Sequence, residues 1–120
     1  TAGGGIGSAA AFREPVMLFG SPAGVAVSSE KSVRVTADRN LNFVSGESTY
    51  LAAGKSLVAS VAEKISLFVQ GAGMKLFTGN GKVEIQAQSD GMDLFAEKQL
   101  HISSAGEDVL VTAKQKVTVT

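Results

Sequence analysis

Pairs of apolar residues two positions apart recur along this chain at a step of eight or nine, and that step limits what the chain can fold into. From Val25 onward the pairs are Val25/Val27, Val33/Val35, Leu41/Phe43, Thr49/Leu51, Leu57/Ala59, Ile65/Leu67, Met74/Leu76, Val83/Ile85, Met92/Leu94, Leu100/Ile102, Val109/Val111 and Val117/Val119. The first six start eight residues apart, and the later steps are 9, 9, 9, 8, 9 and 8. Of the 24 pair positions 22 are Val, Leu, Ile, Met or Phe; Thr49 and Ala59 are the exceptions. A fixed short period marks a repeat architecture. Alternation within each unit predicts a strand with one buried face, because successive side chains point to opposite sides. None of the 22 charged residues falls at the first, third or fifth position of a unit.

The fifth position is also restricted: Ser29, Ala37, Ser45, Ala53, Val61, Val69, Thr78, Ala87, Ala96, Ser104 and Ala113. A small residue there predicts the place where the chain turns and interior room runs out. Nine-residue units carry turn chemistry where the residue is added. Gly71-Ala72-Gly73 precedes Met74, Gly79-Asn80-Gly81 precedes Val83, Ser89-Asp90-Gly91 precedes Met92, and Ala105-Gly106 precedes Val109. Gly and Asn tolerate positive φ, so a corner absorbs one residue without shifting the next strand. A slip of one residue would turn every inward Val outward.

About five residues of each unit are left for a strand and about three for a bend. Two-residue hairpins would read strand, Asn-Gly, strand, and only Gly79-Asn80-Gly81 resembles that. A path that winds round a three-sided prism fits better. The hexapeptide left-handed helix needs a six-residue step, and a helical solenoid a period of about 34 residues. Composition agrees: Gly is abundant at 14 residues, Pro is rare at 2, Trp is absent and 18% of the chain is charged. Small and β-branched residues favour strands and tight corners over helices.

Residues 1–13 are rich in Gly and Ala and read as a flexible linker. Residues 14–120 read as the repeat-bearing shaft, with Glu14-Pro15-Val16-Met17-Leu18-Phe19 as an opening strand and Gly20-Ser21-Pro22-Ala23-Gly24 as the turn that starts the repeat. The chain begins at Thr1 without Met, so a fragment of a larger protein is expected.

Several chemistries are disfavoured. The 11 Lys and Arg balance 11 Asp and Glu, so bulk charge does not hold nucleic acid. With no Cys there is no disulfide framework, thiolate metal site or Cys nucleophile. No apolar run approaches the roughly 20 residues of a transmembrane helix, and the first residues lack the basic start and apolar core of a signal peptide. The Gly-rich run from Thr1 to Ala10 has no strand before it and no helical pattern after it, so it does not read as a dinucleotide loop. His101, the only His, sits at an outward position between Leu100 and Ile102; it reads as a solvated surface residue, not a metal ligand. Asp93 lies one unit away, with no strained nucleophile turn nearby. Glu107-Asp108 read as a solvated bend. No catalytic, cofactor-binding or metal residues are expected. Phe68, Phe77 and Phe95 occupy the outward fourth position, as does Val44. The Phe residues either cover the bends of neighbouring chains or form an apolar strip for a partner.

Four runs carry a resemblance. Arg13-Glu14-Pro15-Val16-Met17-Leu18, Ser21-Pro22-Ala23-Gly24-Val25, Ala52-Ala53-Gly54-Lys55-Ser56-Leu57-Val58-Ala59-Ser60-Val61 and Gly81-Lys82-Val83-Glu84-Ile85-Gln86-Ala87-Gln88-Ser89-Asp90 resemble the C-terminal β-helical, gp5-like region of VgrG proteins. The resemblance covers nearly the whole chain. It implies an all-β fold: an intertwined triple-stranded β-helix, or prism, formed by a homotrimer with an eight- to nine-residue repeat. It implies a structural shaft of the type VI secretion needle tip, related to the puncturing spike of contractile phage tails. It also implies a PAAR-type tip protein, an Hcp tube and effector proteins as partners, with assembly in the bacterial cytoplasm before translocation across a target-cell envelope.

If the chains interlace, adjacent strands on a face come from different chains, and strands of one chain on that face lie about 14 Å apart, too far for hydrogen bonds. Buried main-chain groups need mates, so a lone chain is not expected to keep the fold. The expected core and trimer contacts are the pair residues other than Thr49, Leu51 and Ala59. A phage tail spike keeps the same fold in another setting. A single-chain β-solenoid adhesin is an alternative that a stable folded monomer would favour. A polysaccharide-acting β-helix enzyme needs longer coils and clustered carboxylates, whereas the outward charges here alternate in sign.

Overall fold

The computed structural model describes residues 15–120. The expected linker over residues 1–13, with Glu14 of the opening strand, lies outside the described residues. The chain forms two units, Thr1–Ser60 and Val61–Thr120.

In the first unit the backbone is extended from residue 15 and bends at 22–23, 30–31, 38–39, 46–47 and 54–55, each bend eight residues after the last. Alternating β-branched and apolar residues favour this extended backbone, and Pro22, Asp38, Gly46 and Gly54 at the bends favour turning. One φ is strongly positive, at Gly24 (129°), immediately before Val25.

In the second unit bends fall at 62–63, 70–72, 79–81, 88–90, 97–98, 105–107 and 114–115. Those at 70–72, 79–81, 88–90 and 105–107 span three residues and those at 62–63, 97–98 and 114–115 two. The three-residue bends close the nine-residue units, so the extra residue is spent in the corner. Two of these corners use glycine in the left-handed region, Gly73 (φ 108°) and Gly81 (φ 79°). Open space surrounds both, so it is backbone conformation and not crowding that requires glycine there.

Small hydrogen bonds set the corners. Ser29 Oγ accepts from the Lys31 amide at 3.1 Å, and Ser45 Oγ donates to the Ser48 carbonyl at 2.9 Å. Thr78 Oγ1 donates to the Asn80 carbonyl at 2.7 Å, and Ser104 Oγ accepts from the Glu107 amide at 3.3 Å. All four are fifth-position residues, and they are every Ser and Thr at that position from Val25 onward. In these four units a short hydroxyl bonds forward at the corner, and the Ala or Val at the fifth position of the others makes no such bond. The corner at 88–90 is held differently, by Asp90 Oδ1 accepting from the Gly91 amide at 2.8 Å.

The sequence predicts strands. The segments are extended, yet no described residue pairs into a sheet or closes a main-chain hydrogen-bonded turn. Within each unit no two described residues twelve or more positions apart approach within 8 Å between Cα atoms. An extended segment becomes a strand only when a neighbour supplies mates for its amides and carbonyls.

Candidate assembly surface

The feature with functional content is the apolar alternation itself. No described side chain is buried, and apart from Ala96, which is half-buried, every described residue is exposed. The residues expected to form the core are therefore uncovered in the single chain. At the third position Val27, Val35, Phe43, Leu67, Leu76, Ile85, Leu94, Ile102, Val111 and Val119 are 61–89% exposed. At the first position Val25, Val33, Leu41, Leu57, Ile65, Met74, Val83, Met92, Leu100, Val109 and Val117 are 47–73% exposed. The reason the face is open in one chain is geometric. Each extended segment runs on into the next bend, and no later segment of the same unit returns to lie over it. A side chain loses contact with water only when another surface covers it. A core at these positions would have to be supplied by a surface outside the unit.

Exposure still sorts by position in the repeat. Apolar residues at the second and fourth positions (Val44, Tyr50, Val58, Phe68, Phe77, Phe95 and Leu110) are 83–95% exposed, more than nearly all of the pair residues. The fifth-position residues Val61 and Val69 are as shielded as the first. The backbone presents two unequal sides, and the apolar pairs share the better shielded one.

Phe68, Phe77 and Phe95 all lie on the open side. His101 and Asp93 are exposed, and no group of three His, Cys, Asp or Glu side chains able to hold a metal occurs among the described residues. Glu107 contributes its amide to the corner bond with Ser104. A shallow cleft along Val83, Glu84, Ile85 and Gln86 is open to solvent and belongs to a single extended segment. Beside it Lys82 Nζ lies 3.1 Å from Glu84 Oε1, both side chains largely exposed, and Gln88 Nε2 donates to Gln86 Oε1 at 3.2 Å.

One unit escaped the reading by pairs. Ser21 Oγ accepts from the Ala23 amide at 3.2 Å, the same bond that Ser29 makes eight residues later, and the bend at 22–23 matches that at 30–31. Met17, Phe19 and Ser21 therefore stand at the first, third and fifth positions of a further unit. The signal was available: stepping back eight residues from Val25, Val27 and Ser29 lands on them. Pro15 and Pro22, rare in this chain, had marked the segment as lead-in and turn.

The family described as "Uncharacterized protein conserved in bacteria (DUF2345)" matches residues 4–120. The chain belongs to the DUF2345 family. Over 92 residues, 77% of its length, the DUF2345 chain is 30% identical to the type VI secretion system spike protein VgrG2a of Pseudomonas aeruginosa strain PAO1. Over 92 residues it is also 29% identical to VgrG2b of the same strain. The match spans 11% and 9% of the lengths of these relatives. No solved structure matches the chain. The resemblance to VgrG proteins read from the residues therefore holds, and the DUF2345 chain is VgrG-like.

Proposed function

We propose that this DUF2345 chain is a non-catalytic shaft segment of a type VI secretion spike, in which three copies braid into a β-helical prism. The observation that carries the reading is the uncovered apolar side. A sequence that is 44% hydrophobic yet buries none of its described side chains is incomplete by itself. Three copies wound about one axis would turn the first and third positions into stacked apolar rings and give each segment main-chain neighbours from the other two chains. Each large side chain so covered contributes about 1.5–3 kcal/mol before conformational entropy is set against it.

A closed braid has sheet edges only at its two ends, which suits a stiff element that is pushed rather than bent. In this setting the shaft would be assembled in the bacterial cytoplasm on an Hcp tube, carry a PAAR-type tip protein and effectors, and be driven through a target envelope. The outward Phe68, Phe77 and Phe95 offer an apolar strip to an effector or an adjoining domain. The names of the VgrG2a and VgrG2b relatives support the secretion setting.

The test is the mass of the chain in solution, followed by denaturation at two protein concentrations. The expected result is a trimer whose midpoint rises with concentration. A stably folded monomer with a concentration-independent midpoint overturns the reading.

A further inference from the structure

We infer that a seam of three charged side chains and a histidine runs up each outer face of the shaft, from Lys75 through Glu84 and Asp93 to His101, and that it is completed only between neighbouring copies of the chain. The inference rests on the braided reading above. These four residues hold the outward second position of four consecutive units, and all four are exposed. Elsewhere in the repeat from Val25 only Arg34 places a charge at that position.

Within one chain, successive units of a prism occupy different faces and the fourth returns to the first face about 14 Å away, so the four side chains do not meet. Between chains the geometry differs. On any one face, the rung above unit 74 of one copy is unit 83 of a second, about 4.8 Å away, and the next is unit 92 of the third. Strands on a face run the same way, so second positions lie side by side. Lys75 then adjoins Glu84 of one neighbouring copy, and Asp93 adjoins His101 of another. Glu84 and Asp93 also adjoin, an unfavourable like-charge contact. Glu84 is compensated on both sides: by Lys75 across the chain boundary and by its own Lys82, whose Nζ lies 3.1 Å away.

The seam supplies what the apolar rings lack. Every unit carries its apolar pair at the same two positions, with any ninth residue spent in the corner, so sliding one copy by a whole unit keeps the apolar residues inward. Such a slip is nearly invisible to the core. It is not invisible to the seam, because a copy lagging by one unit sets Lys75 on Lys75, Glu84 on Glu84 and Asp93 on Asp93. At one boundary of the slipped copy each attraction is replaced by a like-charge contact, while at its other boundary Lys75 meets Asp93. Specificity is here a difference between two registers, made largely by repulsion in the competitor.

A double-mutant cycle tests the seam: Lys75→Glu, Glu84→Lys and the pair together in the full chain, with trimer melting followed at low and high salt and the mass checked in solution. Lys75→Glu is expected to lower the melting temperature at low salt, Glu84→Lys to lower it less because the new lysine also relieves the contact with Asp93, the pair to melt higher than the two single changes sum to, and that coupling to shrink at high salt. Repulsion between Lys82 and the new lysine occurs in both Glu84 variants and cancels in the cycle. Losses that simply add in a protein that remains trimeric overturn the seam and leave the braid standing. A monomeric wild-type chain overturns both. In a single-chain column every third unit shares a face, so Lys75 would adjoin Tyr50 and His101 and no coupling to Glu84 would arise.

Discussion

Glycines in neighbouring corner positions respond in opposite ways to an added methyl group. Gly73 sits at φ 108° with open space around it, and Gly71, two residues earlier, has equally open space but no positive φ. Gly73→Ala forces an L-residue into the left-handed side of the map and is expected to cost about 1–3 kcal/mol. Gly71→Ala meets no such strain, restricts the unfolded chain, and is expected to stabilise by about 0.4–1 kcal/mol. Denaturation midpoints at one fixed protein concentration compare the two. A similar contrast applies to the corner hydroxyls. Thr78→Val removes the donor to the Asn80 carbonyl, a 2.7 Å bond at an exposed site, and is expected to cost about 0.5–1 kcal/mol. Ala87→Ser is expected to be near neutral because that corner is already held by Asp90.

Within a single repeat, the corner and the extended segment differ in how they tolerate a change of length. Deleting Ala72 shortens the three-residue bend at 70–72 to the two-residue bend used elsewhere and leaves Met74 and Leu76 in phase. Deleting Lys75 instead joins Met74 to Leu76 and turns one of them outward. The expected outcome is a trimer of modestly lower midpoint for the first deletion and loss of the trimer for the second, read by sedimentation. The same contrast shows what could be read from the residues. Bend positions were legible because the apolar pairs fix where a strand stops, and the four long corners because Gly, Asn and Asp collect there. Three things were not. The fifth-position hydroxyls looked merely small, since spacing does not say that Ser29 or Ser104 bonds forward into the next bend. Met17 and Phe19 were read as lead-in because proline on either side masks the period. Alternation marked Val35, Phe43 and Leu94 as inward, but it does not say what lies opposite them, and in the single chain nothing does. The outward Phe residues and the proposed seam have no signature in a single unit; they emerge only when units are compared position by position.

For the assembled protein, everything depends on what covers the apolar side. Ile85 is 69% exposed in the single chain. On the braided reading Ile85→Asp brings three carboxylates together near the axis, where desolvation and mutual repulsion oppose assembly. The trimer is expected to be lost in sedimentation, while Gln86→Asp, one position along and outward, is expected to leave it intact. A protein that stays trimeric with Ile85→Asp would place this residue outside the core.

The corner bonds carry a consequence for how such an object is built. Each reaches only one to three residues along its own chain, so none waits for another molecule. A nascent polypeptide can set its turning points before it meets a sister. On the braided reading, what three such strands then face is a problem of alignment, closer to closing a zip whose teeth are already cut than to searching for a shape.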